Sequence, residues 1–121
     1  MPASITRENG EVLRLDISGQ LTKQEMDAAQ SALVAALERE QTGAVRLLVV
    51  LQSFSGWEPG AAWNDLSFYI QHGDALSRIA IVGPERWRSE AMMFAAADLR
   101  KGPVEYFKPD ALAAARDWLM R

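Results

Sequence analysis

Cysteine is absent from this 121-residue chain, and histidine occurs once, at position 72. The first absence excludes disulfides, a thiol nucleophile and a cysteine metal site. The second excludes a site built from several histidines. Charge of one sign is also scarce. The 13 basic and 16 acidic side chains leave a net charge of −3, so nothing electrostatic points to nucleic acid. Long apolar runs are missing. The longest aliphatic stretch is LLVVL, residues 47–51, far too short to span a bilayer. The opening residues, MPASITRENGEVLRLDISG, contain no apolar core of the signal-peptide kind, and a cytoplasmic protein is expected. There is no glycine-rich phosphate loop and no nucleophile motif. His72 lies near Asp65 and Asp74, but at a helix end it reads as structural or exposed. Neither an enzyme nor a bound cofactor or metal is expected.

What is present suits one packed domain over residues 1–121, since a chain of this length buries one core. Ser4–Glu8 and Glu11–Ser18 read as two strands joined by Asn9-Gly10, a hairpin signal that calls for positive φ. In the second strand Val12, Arg14 and Asp16 alternate with Leu13, Leu15 and Ile17, which fits an antiparallel edge pair with one wet face. Thr22 and Glu25 form a capping box, with Leu21 and Met26 spaced as the matching hydrophobic staple. The helix they start runs to about Glu40. Val45–Leu51 is a nearly continuous aliphatic strand, as expected where both faces are covered. Ile79–Val82 and Val104–Phe107 are two more. Helical segments fall near Ala61–Gln71, Glu85–Leu99 and Pro109–Met120, each with a proline close to its start. The last of them turns Leu112, Ala115 and Leu119 inward and leaves Arg116, Asp117 and Arg121 to solvent. The order ββαβαβαβα predicts an α/β fold. Its sheet has five strands, mostly parallel with an antiparallel N-terminal edge strand, and about four helices cover it.

The two middle helices carry more apolar surface than one stripe. Trp63, Leu66 and Ile70 share the broad face of the first, while Phe68 falls nearly opposite. On the second, Trp87, Ala91 and Phe94 form a stripe that Met92 and Met93 extend round the cylinder. A helix apolar on more than one side is buried, partnered or covering a ligand. Between strand and helix lies FSGWEPGAAW, residues 54–63, with two tryptophans around a Glu-Pro-Gly break. Glu58 is placed to cap the helix that follows, whose first amides lack partners. Arg86-Trp87-Arg88 reads as an inward tryptophan between two wet arginines, rather than as a membrane anchor.

The stretch LQSFSGWEPGAAWNDLSFYI, then RIAIVGPERW, then VEYFKPDALAAARDWL, resembles the SpoIIAA-like family over nearly the whole chain. GWEPGAAW is the most specific part of that likeness. The resemblance implies a fold related to STAS domains and to the lipid-carrying CRAL-TRIO domains, with apolar ligands or membranes met through mobile middle helices. It implies no catalytic activity. STAS antagonists carry a phosphorylatable Ser or Thr where the helix after the third strand begins. This chain has GWEPGA there, with Ser53 and Ser55 upstream, so no serine phosphoswitch is expected.

The expectation is therefore a non-catalytic domain that binds a small apolar or amphipathic ligand, such as a lipid, or a membrane surface. Trp57, Trp63, Phe68 and Met93 are the expected contacts. The alternative is a protein-interaction or regulatory module that uses the same apolar surface against a partner or a second copy, as a homodimer.

Overall fold

The computed structural model describes residues 3–9, 12–39, 45–59, 76–94 and 102–121. Five strands, β1 (Ala3–Asn9), β2 (Val12–Leu21), β3 (Val45–Trp57), β4 (Leu76–Val82) and β5 (Val104–Phe107), lie in that order across one sheet. β1 runs antiparallel to β2, and every other neighbouring pair is parallel. The mixed sheet expected from the alternation of strands and helices is thus the one formed. Asn9 pairs with Val12; the turn geometry expected of Asn9-Gly10 falls on residues 10–11, outside the described ones. So does the helix expected over residues 61–71, together with His72.

Three helices are described: α1 (Lys23–Arg39), α2 (Arg88–Phe94) and α3 (Leu112–Leu119). A turn of 3₁₀ helix over Glu85–Trp87 leads into α2. α1 starts where the capping box places it. Glu25 N–H donates to Thr22 Oγ1 at 3.1 Å, and Thr22 N–H donates back to Glu25 Oε1 at 3.1 Å. Each side chain thereby satisfies a backbone donor that the helix start leaves open. Thr22→Ala is expected to lower stability by about 1 kcal/mol, read as the shift of a urea-unfolding midpoint. An unchanged midpoint would show that the box contributes nothing.

The two faces of the sheet differ. On one, Leu13, Leu15 and Ile17 of β2, Leu47, Val49 and Leu51 of β3, and Ile79 and Ile81 of β4 form the larger core with Ala29 and Leu33 of α1. On the other, Val12, Leu48, Val50, Ala80 and Val82 meet Ala115 and Leu119 of α3. Side chains alternate across a strand, so within the regular stretches 12–17, 47–51 and 79–82 odd positions face the larger core and even positions the smaller one. α3 is tied down through its last turn. Arg116 Nε donates to Glu8 of β1 at 2.5 Å. Arg78 donates to the Trp118 carbonyl at 2.6 Å and stacks 5.2 Å from that indole. A cation on the last carbonyls of a helix also opposes its dipole.

Candidate functional site

The site begins with an irregularity in β3. Opposite β2, Ile17 pairs with Leu51, Gly19 with Phe54, Gln20 with Gly56 and Leu21 with Trp57. β3 therefore spends two residues more than β2 over the same length, one before Phe54 and one after it. Each surplus is a bulge, which bends the strand and re-aims its side chains. Ser53 at φ 52° and Gly56 at φ 117° take the unusual backbone angles, with Gly19 at φ 64° opposite. In a regular strand Ser53 and Ser55 would follow Leu51 onto the core face. With the bulges, Phe54 takes the core face in their place, Trp57 keeps it opposite Leu21, and both serines are exposed.

The re-aimed rings meet a third. Phe54 and Trp57 pack edge to face at 4.9 Å, Phe54 and Trp87 at 5.2 Å, and Trp57 and Trp87 at 5.7 Å. Edge-to-face pairs at such distances add about 0.5–1.5 kcal/mol each beyond the area they bury. Trp87 comes from the 3₁₀ turn before α2 and turns inward, while Arg86 and Arg88 stay exposed, as the sequence led us to expect.

This cluster closes one end of an apolar cavity of about 80 Å³ between the sheet and α1. Leu15, Ile17, Leu47, Val49, Ile79 and Ile81 form its floor. Met26, Ala29, Gln30 and Leu33 of α1 face them, with Phe54 and Trp57 at the end and Ala91 from α2. Gln30 is the single polar side chain in this lining among the described residues. None of the described lining side chains titrates, and what they offer a guest is burial. No group of three or more metal-ligating side chains occurs among the described residues.

The end of β3 is clasped to the start of α1. Glu58 N–H donates to the Leu21 carbonyl at 2.8 Å, and Lys23 N–H donates to Glu58 Oε1 at 3.1 Å. Glu58 thus caps α1; the helix that the sequence expects it to cap lies outside the described residues. The cap on α1 follows from the length of β3. It continues beside β2 as far as Trp57, which brings the next carboxylate to the helix that β2 feeds.

Of the four expected contacts, Trp57 lines the cavity. Met93 is 64% exposed on α2. That helix instead sends Ala91 to the cavity, and Met92 packs half-buried on the core. Trp63 and Phe68 lie outside the described residues. Phe54 and Met26 were missed as lining residues, and Trp87 was read as core without a place at the site. The F-x-x-W spacing was the available signal, hidden because it matches a strand only when bulges are allowed.

The SpoIIAA-like family model matches residues 12–120. Among solved structures, the chain is similar to an uncharacterized DUF3478-family protein with a SpoIIAA-like fold from Shewanella loihica PV-4. The two share 26% identity over 97% of this chain and 91% of that one, with a TM-score of 0.73. It is also similar in fold to the phosphorylated form of the Bacillus cell-fate determinant SpoIIAA. There the identity is 13% over 97% and 98% of the chains, with a TM-score of 0.55. No curated protein matches.

Proposed function

Because the chain belongs to the SpoIIAA-like family, and its most distinctive feature is an apolar cavity closed by an aromatic cluster, we propose that it is a binding domain rather than an enzyme. Its ligand is a small apolar or amphipathic molecule, such as a lipid, taken up from solution or from a membrane surface. The observation that carries this reading is the cavity's lining, apolar but for Gln30 among the described residues. Binding sites for small molecules are concave and mostly apolar in the same way. No helix of the described residues is long and apolar enough to cross a membrane, and a cytoplasmic location belongs to the same proposal.

Size sets a condition. An engineered apolar cavity of about 150 Å³ takes up benzene, and this one is about 80 Å³. It accepts a few carbon atoms as it stands, and a longer chain only if the helices part from the sheet. Ala29, on the α1 side of the cavity, offers the test. Ala29→Leu places extra carbons into the space. It is expected to raise stability by about 1–2 kcal/mol and to weaken ligand binding at least tenfold. Straight-chain acids of four to twelve carbons, titrated against tryptophan fluorescence, are the measurement. If wild type shows no saturable response to any of them or to anionic vesicles, the ligand reading falls.

A second reading has support of its own. Met93 on α2 is 64% exposed, and methionine suits adaptable protein contacts. In that reading the domain is an interaction module, with a partner or a second copy covering the α2 surface. It works without a serine phosphoswitch, since Ser53 and Ser55 sit within β3 and not at a helix start. Native mass spectrometry separates the two readings, because retained ligand and oligomeric state appear in one spectrum.

A further inference from the structure

Gln30 breaks the pattern of the inner side of α1. Met26, Ala29 and Leu33 follow the three- and four-residue spacing that turns a helix face to its core, and Gln30 stands in the same stripe, one turn after Met26. Its side chain is half-buried and lines the cavity. It makes no side-chain hydrogen bond to another described residue. Withdrawing an amide from water without giving it a partner costs free energy, which an apolar side chain at the same place would avoid. The floor opposite, from Leu15 and Ile17 to Val49 and Ile81, is aliphatic and offers the amide nothing. Ala29 beside it is short and leaves the space open. One wall of an apolar cavity thus carries a side chain able both to donate and to accept a hydrogen bond.

Building on the ligand reading above, we propose that the ligand carries a neutral hydroxyl head, as an alcohol does, and that Gln30 is the residue that selects it. The tail lies on the aliphatic floor, and the hydroxyl pairs with the Gln30 amide at the α1 wall. A hydroxyl donates and accepts, so it can use both halves of the amide. A carboxylate can use only the amide N–H groups, and the described lining holds no cation to offset the burial of its charge. An alkane leaves the amide as it was. Specificity of this kind comes from a polar group that one guest satisfies and another does not.

The test titrates 1-hexanol, hexane and hexanoate at pH 8 against wild type, Gln30→Met and Gln30→Glu in sealed cells, read by tryptophan fluorescence. Alkane and alcohol differ in their cost of leaving water, so each is compared with itself across the variants and not with the other. Gln30→Met keeps the length of the side chain and removes the amide. It is expected to weaken hexanol by about three- to tenfold and to leave hexane unchanged or tighter. Gln30→Glu keeps an acceptor and adds a charge. It should hold hexanol within about threefold of wild type and weaken hexanoate by about tenfold. Thermal melts report whether each variant is folded, and should Gln30→Met not fold, the Gln30→Glu series decides the matter. Equal changes for hexanol and hexane in Gln30→Met, or for hexanol and hexanoate in Gln30→Glu, would overturn the role of Gln30 while leaving the cavity reading in place. Tighter binding of hexanoate than of hexanol to wild type would overturn the neutral head in the same way. Saturable binding of none of the three would overturn both.

Discussion

Gly83→Ala is expected to lower stability by about 3 kcal/mol. Gly83 directly follows β4, and its N–H donates to the Phe107 carbonyl at 3.0 Å, holding the strand against β5. A Cβ at this position would stand 2.8 Å from the Tyr106 hydroxyl oxygen and 2.9 Å from Leu51 Cδ1. Neither neighbour can step aside freely. Leu51 is buried in the core, and the Tyr106 hydroxyl donates to the Pro84 carbonyl at 2.7 Å. Adding Tyr106→Phe to Gly83→Ala should recover part of the loss, because one of the two collisions disappears. Urea melts of the two single variants and the double variant give the coupling directly. Strict additivity would mean that the hydroxyl is not what resists the methyl group.

The same tyrosine has a pH signature. Burial pushes its hydroxyl up to about 12, with the Glu85 carboxylate adding to the effect and Arg88 opposing it. The folded state therefore holds this proton more firmly than the unfolded chain does. The resulting stability is fully present below pH 10 and is lost as pH rises through 12. The loss is on the order of 2 kcal/mol. Tyr106→Phe should lack this alkaline component when its melts at pH 9 and pH 11.5 are set beside those of wild type.

Gly56→Val is expected to cost a further amount of the same order, about 3 kcal/mol, for two separable reasons. Its φ of 117° lies where a β-branched residue is strained. A Cβ there would also stand 3.2 Å from Trp87 Cη2. The glycine lets the bulged end of β3 lie directly on the indole, so its replacement pushes apart the rings that close the cavity. Urea melts read the stability, and the tryptophan emission maximum should shift to the red as the rings gain water. Gly56→Ala keeps the backbone strain with less bulk, and should fall between wild type and valine. A valine variant as stable as wild type would mean that the second bulge is not where the strand places it.

Much of this fold was legible because its signals are local. Thr22 and Glu25 lie three residues apart and need only each other to start α1. Val45–Leu51 declares a strand buried on both faces through composition alone. The extension to Trp57 was not legible. Ser53, Ser55 and Gly56 are turn residues, and bulges destroy the alternation by which strands are recognised. The extension is held by Phe54 pairing with Gly19 and Gly56 with Gln20, more than thirty residues away in the chain. The inward side of α2 was legible too, since Trp87 and Ala91 turn to the core from the stripe that the sequence shows, while Met93 at its margin faces out. Trp63 and Phe68 lie outside the described residues.

The two surplus residues of β3 also bear on how this chain is compared with its relatives. Loss of one surplus residue together with its bulge leaves Phe54 and Trp57 pointing inward, though their spacing along the chain shrinks. The ring cluster is therefore fixed by hydrogen-bonded positions on β2 and not by a count along β3. An alignment that counts from Leu51 sets Phe54 against an outward-facing side chain in any relative with a regular strand. Counting instead along β2, from Ile17 to Leu21, sets inward-facing positions against one another. Insertions and deletions at Gln52–Ser55 are thus the places where evolution can lengthen or shorten this wall of the cavity without emptying it.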